Sequence, residues 1–226
     1  MRQIFLDTET TGLYPDQGHR IIEIAAIESI NRRPTGNHFH QYLNPLREID
    51  HAAQQVHGIT LEFLLDKPLF EAVASDFIAF VKDAELIIHN APFDIGFLNS
   101  ELGRIGLQPM STMCDKITDT LKMAKDARPG QRNNLDALCR HFGIDNARRT
   151  LHGALLDAEL LAEVYMAMTR GQESLMMDLR QPLQVLDSQG AMPRTGVLKV
   201  LEANEEELAA HVEYVSSLTK AGAEFW

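Results

Sequence analysis

Three short segments carry residue types able to hold cations against a phosphate. The first is Asp7-Thr8-Glu9. Side chains on a strand repeat every two residues, so Asp7 and Glu9 leave the same face, and two carboxylates side by side repel unless a cation sits between them. Thr10-Thr11-Gly12-Leu13 follows, with hydroxyls, amides and a glycine where backbone can approach a nucleotide. The second segment is His89-Asn90-Ala91-Pro92-Phe93-Asp94, where an apolar strand meets a helix. There Asp94 either complements the helix dipole or serves the crevice at strand ends, where open α/β sheets bind ligands. The third runs from Leu151 through His152 and Gly153 to Asp157. Five residues of ideal helix turn through about 140°, so His152 and Asp157 converge only if His152 stands in the preceding loop, a geometry that Gly153 makes easy.

The set amounts to four carboxylates, Asp7, Glu9, Asp94 and Asp157, with one histidine, His152. Hard oxygen ligands without a cysteine or histidine cluster select Mg²⁺ or Mn²⁺ over zinc. Two such ions about 3.5 to 4 Å apart are the usual apparatus of phosphodiester cleavage, and an imidazole with a pKa near neutrality is suited to take a proton from water.

These residues need a scaffold that gathers distant segments. Gln3 to Asp7, Arg20 to Ile30 and Phe39 to Leu43 read as three consecutive strands, hence an antiparallel meander. Leu86 to Asn90 is a short apolar run typical of a buried strand, with helices before it (Phe70, Val73, Phe77, Phe80, Val81) and after it (Phe93 to about Leu102). Further helices are predicted over Asn134 to His141, capped by Asn133 or Asn134, and over Gly153 to Met168, with a stripe of Leu156, Leu160, Leu161 and Val164. This alternation is that of an α/β domain with a mixed sheet.

Composition bounds the alternatives. Among 226 residues, 45% are hydrophobic and 23% charged, which excludes wholesale disorder, collagen-like repeats and coiled coil. The net charge of -11 argues against gripping nucleic acid through a broad basic surface. No apolar run approaches a membrane span and no secretory pattern opens the chain, so the expected compartment is the cytoplasm, without a membrane partner. Cys114 and Cys139 have no metal-binding or redox spacing and read as reduced thiols. Beyond Gly171 the chain carries 4 basic against 9 acidic residues, and the Gln-, Pro- and Gly-containing stretch to Gly196 has no sustained period. The expected organisation is a domain over 1–170, a flexible linker over 171–196 and a C-terminal segment over 197–226.

Asp7-x-Glu9 with Thr-Thr-Gly, Asn90-x-x-x-Asp94 and His152-x-x-x-x-Asp157 together resemble the three motifs of the DEDDh 3′-to-5′ exonucleases. More closely, the chain is similar to the epsilon proofreading subunits of bacterial DNA polymerase III, through Ile21 to Ile24, Val56-His57-Gly58, Asn134 to Leu138 and Thr150 to Asp157. The resemblance implies a ribonuclease H-like fold with a mixed five-stranded sheet flanked by helices, and release of 5′-mononucleotides from a DNA 3′ end, single-stranded or frayed. It implies that Asp7, Glu9, Asp94 and Asp157 hold two divalent ions, Mg²⁺ or Mn²⁺, while His152 deprotonates water. It further implies that Thr10, Gly12, Val56, His57, Asn90 and Phe93, with Asp7, Glu9 and Asp157, contact the terminal nucleotide. Val56 and His57 read equally as a helix end packed on the core, and Phe93 as core filling or as a platform for a frayed base.

In the tail, Val197 to Leu201 reads as a short strand and Asn204 onward as a helix, with Asn204 and Glu207 resembling a capping box. Leu208, Val212, Val215 and Leu218 form a narrow stripe, with Phe225 and Trp226 as further anchors. They either pack back on the nuclease or dock on a partner. The resemblance favours the polymerase catalytic (alpha) subunit. Gln172, Leu175, Met176 and Met177 are similar to the sliding-clamp (beta) motif of epsilon subunits, departing from it by ending in Met. A small theta-like subunit and a place in the nucleoid replisome complete the implied setting. The competing readings are a free-standing exonuclease trimming RNA or DNA ends, and a tether between clamp and polymerase.

Overall fold

A computed structural model describes residues 1–149 and 151–170, together with 207–209, 211–212 and 216. The chain divides into two compact units, Met1–Arg180 and Gln181–Trp226. The first is built on a five-stranded sheet in the order β3-β2-β1-β4-β5. Its centre is β1 (Arg2–Thr10), which pairs antiparallel with β2 (Ile21–Ile30) and parallel with β4 (Glu85–Ile88). Outside these lie β3 (Arg33–Tyr42), antiparallel to β2, and β5 (Lys116–Asp119), parallel to β4. The expected meander and mixed sheet are both present. The C-terminal ends of β1, β4 and β5 therefore open on one edge of the sheet, where α/β folds place ligands.

The run Ile4-Phe5-Leu6 is fully buried because both faces of the sheet are covered. Ile4 and Leu6 pack with Phe77 of α3 (Phe70–Val81) and with Phe97 and Leu102 of α4 (Ala91–Arg104). Phe5 and Ile87 face the other way, onto Leu138 and Cys139 of α6 (Leu135–Phe142) and Leu160, Leu161 and Val164 of α7 (Ala154–Met168). By strand alternation Asp7 and Glu9 share the Phe5 face and look toward α7. Ala25, the β2 partner of Asp7, meets Ala154 and Ala158, and these small side chains let the first turn of α7 approach the sheet closely. A register shift between Glu9 and Thr10 marks a bulge where β1 leaves its pairing with β2.

Several boundaries differ from the sequence reading. Strand β1 runs on to Thr10 rather than stopping at Asp7, so Thr8 and Glu9 lie within the pairing. Strand β3 begins at Arg33 rather than Phe39, its first six residues being exposed and polar at the sheet edge, without the alternation that betrays a strand. Helix α4 starts two residues before Phe93, with Pro92 in its first turn, a position that costs no hydrogen bond. Asn134 is the cap of α6, its Oδ1 accepting from Ala137 N at 3.0 Å. Helix α1 (His51–His57) ends where Val56 and His57 offer a helix end as one of two readings, whereas α2 (Leu61–Leu64), α5 (Thr120–Ala127) and β5 have no counterpart in the sequence reading. In the second unit the described residues are helical, with Leu208 and Val212 exposed. The expectations placed on Gln172, Leu175, Met176, Met177, Val197 to Leu201, Asn204, Val215, Leu218, Phe225 and Trp226 lie outside the described residues.

One contact ties α1 to the segment that carries His152. Gly58 ends α1 at φ +74°, and a Cβ there would stand 2.6 Å from Leu151 Cδ1. Beside it, Val56 O accepts from His152 N at 3.1 Å. Gly58→Ala is therefore expected to cost about 1 to 2 kcal/mol in thermal unfolding, from left-handed strain and the clash together. Adding Leu151→Ala should restore only the steric part; full recovery would show that backbone strain at Gly58 is negligible.

Candidate active site

Asp7, Glu9, Asn90, Phe93, Asp94, His152 and Asp157, all proposed from the sequence, line one cleft of about 330 Å³ at the open end of the sheet. Each arrives by a different local route. Asp7 and Glu9 come from the end of β1. Asp94 projects from the first turn of α4 and is 3% exposed. It accepts from Thr8 Oγ1 at 2.7 Å, a bond that reaches it from the opposite pleat to Asp7. Asn90 precedes α4 in left-handed conformation, φ +69°, and its backbone N–H donates to Asp119 Oδ1 at the end of β5. Asp157 lies in the first turn of α7, while His152 stands in the loop before it, as the rotation argument required.

The N-terminus of α7 is fastened across the sheet. Glu23 on β2 is 2% exposed, and its Oε2 accepts from Ala154 N at 3.2 Å while Oε1 lies 2.7 Å from His40 Nε2. A carboxylate at a helix N-terminus is stabilised by the exposed amides and the dipole, so Glu23 anchors the turn that presents Asp157.

Thr10, Gly12, Val56 and His57 do not line this cleft. Thr10 is buried at the end of β1, donating to Gly12 O at 2.7 Å. Gly12 leaves room for the ring of His19, which occupies the place a Cβ would take. Val56 is exposed and His57 buried at the end of α1, so a helix end packed on the core describes His57 and not Val56. His57 Nδ1 accepts from Ile59 N at 3.0 Å, and its buried Nε2 has no partner of hydrogen-bonding geometry. Phe93 meets Phe97 at 5.0 Å between ring centroids, as core filling requires, while also facing the cleft.

Electrostatics explain what the cleft lacks by itself. Burial, then the charges of Asp94, Glu9 and Asp157, hold the Asp7 carboxyl well above the ordinary carboxylate range. Burial, Asp157, Glu23 and Asp94 push Glu9 up to about 8, with Arg149 opposing. Burial raises Asp94 to about 7 in spite of its bond from Thr8. Such mutual repulsion among carboxylates is relieved by a divalent cation. The donor set fits one: Glu9, His152 and Asp157 offer ligand atoms that all lie within 4.8 Å of one another. Burial and the neighbouring Arg149 lower the His152 pKa, so the imidazole is neutral at pH 7 and able to accept a proton.

Six further residues line the cleft without being assigned to it from the sequence: Thr8, His89, Asn134, Leu135, Asp136 and Arg149. Thr8 and His89 lie within the first two acidic segments, yet no period or spacing assigns them a role there. Asp136 lies inside the quoted Asn134 to Leu138 motif and Arg149 three residues before His152, so proximity to the motifs was the available signal.

Comparison with known proteins agrees with this geometry. A family model described as exonuclease (RNase_T) matches residues 4–165. DNA polymerase III subunit epsilon of Pasteurella multocida is 51% identical, over 97% of this chain and 90% of its own length. Its counterpart in Escherichia coli K12 is 48% identical over 98% and 95%. Among solved structures, exonuclease X in complex with 5′ overhanging duplex DNA is 25% identical with a TM-score of 0.58, covering 76% of this chain and 93% of that one. The nuclease domain of 3′hExo, a DEDDh family member bound to rAMP, shares the fold at 21% identity, TM-score 0.63, over 76% and 92%.

The raised carboxyls make stability pH-dependent. Glu9, at about 8, and Asp94, at about 7, keep protons when folded that the unfolded chain releases near its ordinary values of about 4. The folded state then binds more protons, so stability from these groups is present below the unfolded values and is lost as pH rises through the folded ones. With chelator present, the melting temperature should fall between about pH 5.5 and about pH 8.5, and saturating Mg²⁺ should suppress the fall. A level or rising melting curve in chelator would contradict the assignment.

Proposed function

The chain belongs to the exonuclease family, among the DNA polymerase III epsilon subunits, and from that footing we propose that its cleft removes mismatched 3′-terminal nucleotides during replication. It is a metal-dependent 3′-to-5′ exonuclease. The observation that carries the finer reading is the meeting of Asp7, Glu9, Asp94 and Asp157 with His152 in one cleft.

In this reading the four carboxylates hold two divalent ions, Mg²⁺ or Mn²⁺. Bound ions supply an activated water and neutralise charge on the phosphate and the leaving oxygen. His152 takes the proton from the attacking water, and its neutral form at pH 7 is the one required. Asn90 and Phe93 flank the carboxylates and receive the terminal nucleotide. Thr10, Gly12, Val56 and His57 contribute from the adjoining β1 and α1 ends, and the unpartnered His57 Nε2 supports that placement. No base readout is needed, because a mismatched end frays more readily and a site for unpaired nucleotides avoids the unstacking cost.

The proposed organisation is a nuclease domain over 1–170, a connecting segment over 171–196 and a polymerase-binding segment over 197–226. Leu208 and Val212, one helical turn apart and exposed, support a docking face continued by Val215, Leu218, Phe225 and Trp226. Gln172, Leu175, Met176 and Met177 are assigned to the sliding clamp, and a theta-like subunit remains part of the proposed assembly. The DNA-holding work then falls to polymerase and clamp, consistent with a charge of -11. Among the described residues no helix is long and apolar enough to cross a membrane. The proposed location is the bacterial cytoplasm, at the nucleoid replisome.

Two measurements test this. Asp7→Ala and Asp157→Ala should leave almost no Mg²⁺-dependent release of 5′-mononucleotides from single-stranded DNA, and His152→Ala should lose roughly 10²- to 10⁴-fold. An equally active double aspartate variant, or faster trimming of RNA than DNA, would overturn the proposal. Deleting 197–226 should abolish co-purification with the polymerase catalytic subunit while single-strand hydrolysis persists; retained binding would remove the tail from that role.

A further inference from the structure

Arg149, in the loop between α6 and α7, sits in the cleft with a side chain only 6% exposed. Its guanidinium grips Asp157 with two parallel bonds, Nε to Oδ1 at 2.5 Å and Nη2 to Oδ2 at 2.7 Å. Its Nη1 donates to Asp136 Oδ1 at 2.8 Å, and its Nη2 lies 2.9 Å from His152 Nδ1. A guanidinium only donates, so His152 Nδ1 is the acceptor in that contact. A neutral imidazole has a single acceptor nitrogen, and the other carries the proton. In this arrangement Arg149 therefore neutralises Asp157 and spends the one lone pair with which His152 can take a proton.

The same two side chains are two of the three whose ligand atoms cluster within 4.8 Å. A divalent cation held there would lie against the guanidinium, which is itself only 6% exposed, and two positive charges at such short range repel. Asp136 offers Arg149 a second anchor. It is more exposed, on α6, and also receives Asn146 Nδ2 at 3.0 Å, so it holds the loop whether or not Asp157 is engaged. We infer that Arg149 is a positioning residue that competes with the metal for Asp157, covering Asp157 and His152 until a cation displaces it toward Asp136. Metal entry and release of the general base are then one event. The inference rests on the reading of Asp157 as a metal ligand.

The test is calorimetric titration of Mn²⁺ into the chelator-stripped full chain, comparing wild type, Arg149→Gln, Arg149→Lys and Asp157→Asn. Arg149→Gln should bind Mn²⁺ about tenfold more tightly than wild type, because the bidentate competitor is gone. Arg149→Lys keeps the charge but cannot bridge both oxygens, and should fall between the two. It also carries the test if the glutamine variant does not fold. Thermal melting in chelator provides a second readout: both Arg149 variants should melt lower than wild type, and Mn²⁺ should raise their melting temperatures more. Arg149→Lys binding Mn²⁺ like wild type would reduce the effect to long-range charge and overturn the inference, as would weaker binding by either variant. If wild type binds no Mn²⁺, or Asp157→Asn binds as tightly as wild type, the metal-site reading itself fails. Binding that depends on Asp157 but not on Arg149 fails the inference alone.

Discussion

Repulsion among buried carboxylates governs this protein. Asp7, Glu9, Asp94 and Asp157 crowd the end of one central strand, and their neighbours' charges add to burial in raising the cost of charging Asp7 and Glu9. The surrounding structure offsets that cost in pieces. Two helix N-termini point at the cluster, Thr8 donates to Asp94, and Arg149 lies on Asp157. None of these fully compensates, since Asp7, Glu9 and Asp94 stay above the ordinary carboxylate range.

The rest of the fold follows from delivering those charges. A central strand must be apolar on both faces for most of its length and then turn acidic, as Ile4-Phe5-Leu6 followed by Asp7 and Glu9 does. The helices that cover the faces must bring their acids in at their first turns, where the sheet ends and the dipole helps. Alanines at positions 25, 154 and 158 allow α7 close enough to do so.

What the sequence made legible tracks how strongly each element is patterned. Period two placed Asp7 with Glu9, and helical rotation placed His152 in a loop, because both arguments concern geometry within one short segment. Strand β5 and helix α5 escaped notice because Lys116-Ile-Thr-Asp sits half-buried at an edge and carries no apolar run. The first half of β3 has no apolar face at all. Thr8 and Arg149 escaped for a different reason. Their importance lies in contacts to residues 86 and 8 positions away, at the point where two pleats or two loops converge, and no local period encodes such a meeting.

The Glu23 anchor on Ala154 spans 131 residues of chain. Helix α7, which that bond fastens, is the last element of the nuclease unit to leave the ribosome, and it brings Asp157 with it. Translation proceeds at about 5 to 20 residues per second, so a nascent chain spends several seconds with β1 complete and its acids uncompleted. During that interval the cleft lacks the side chains of Arg149, His152 and Asp157. The order of elements along the chain thus makes this cleft among the last features of the domain to be completed.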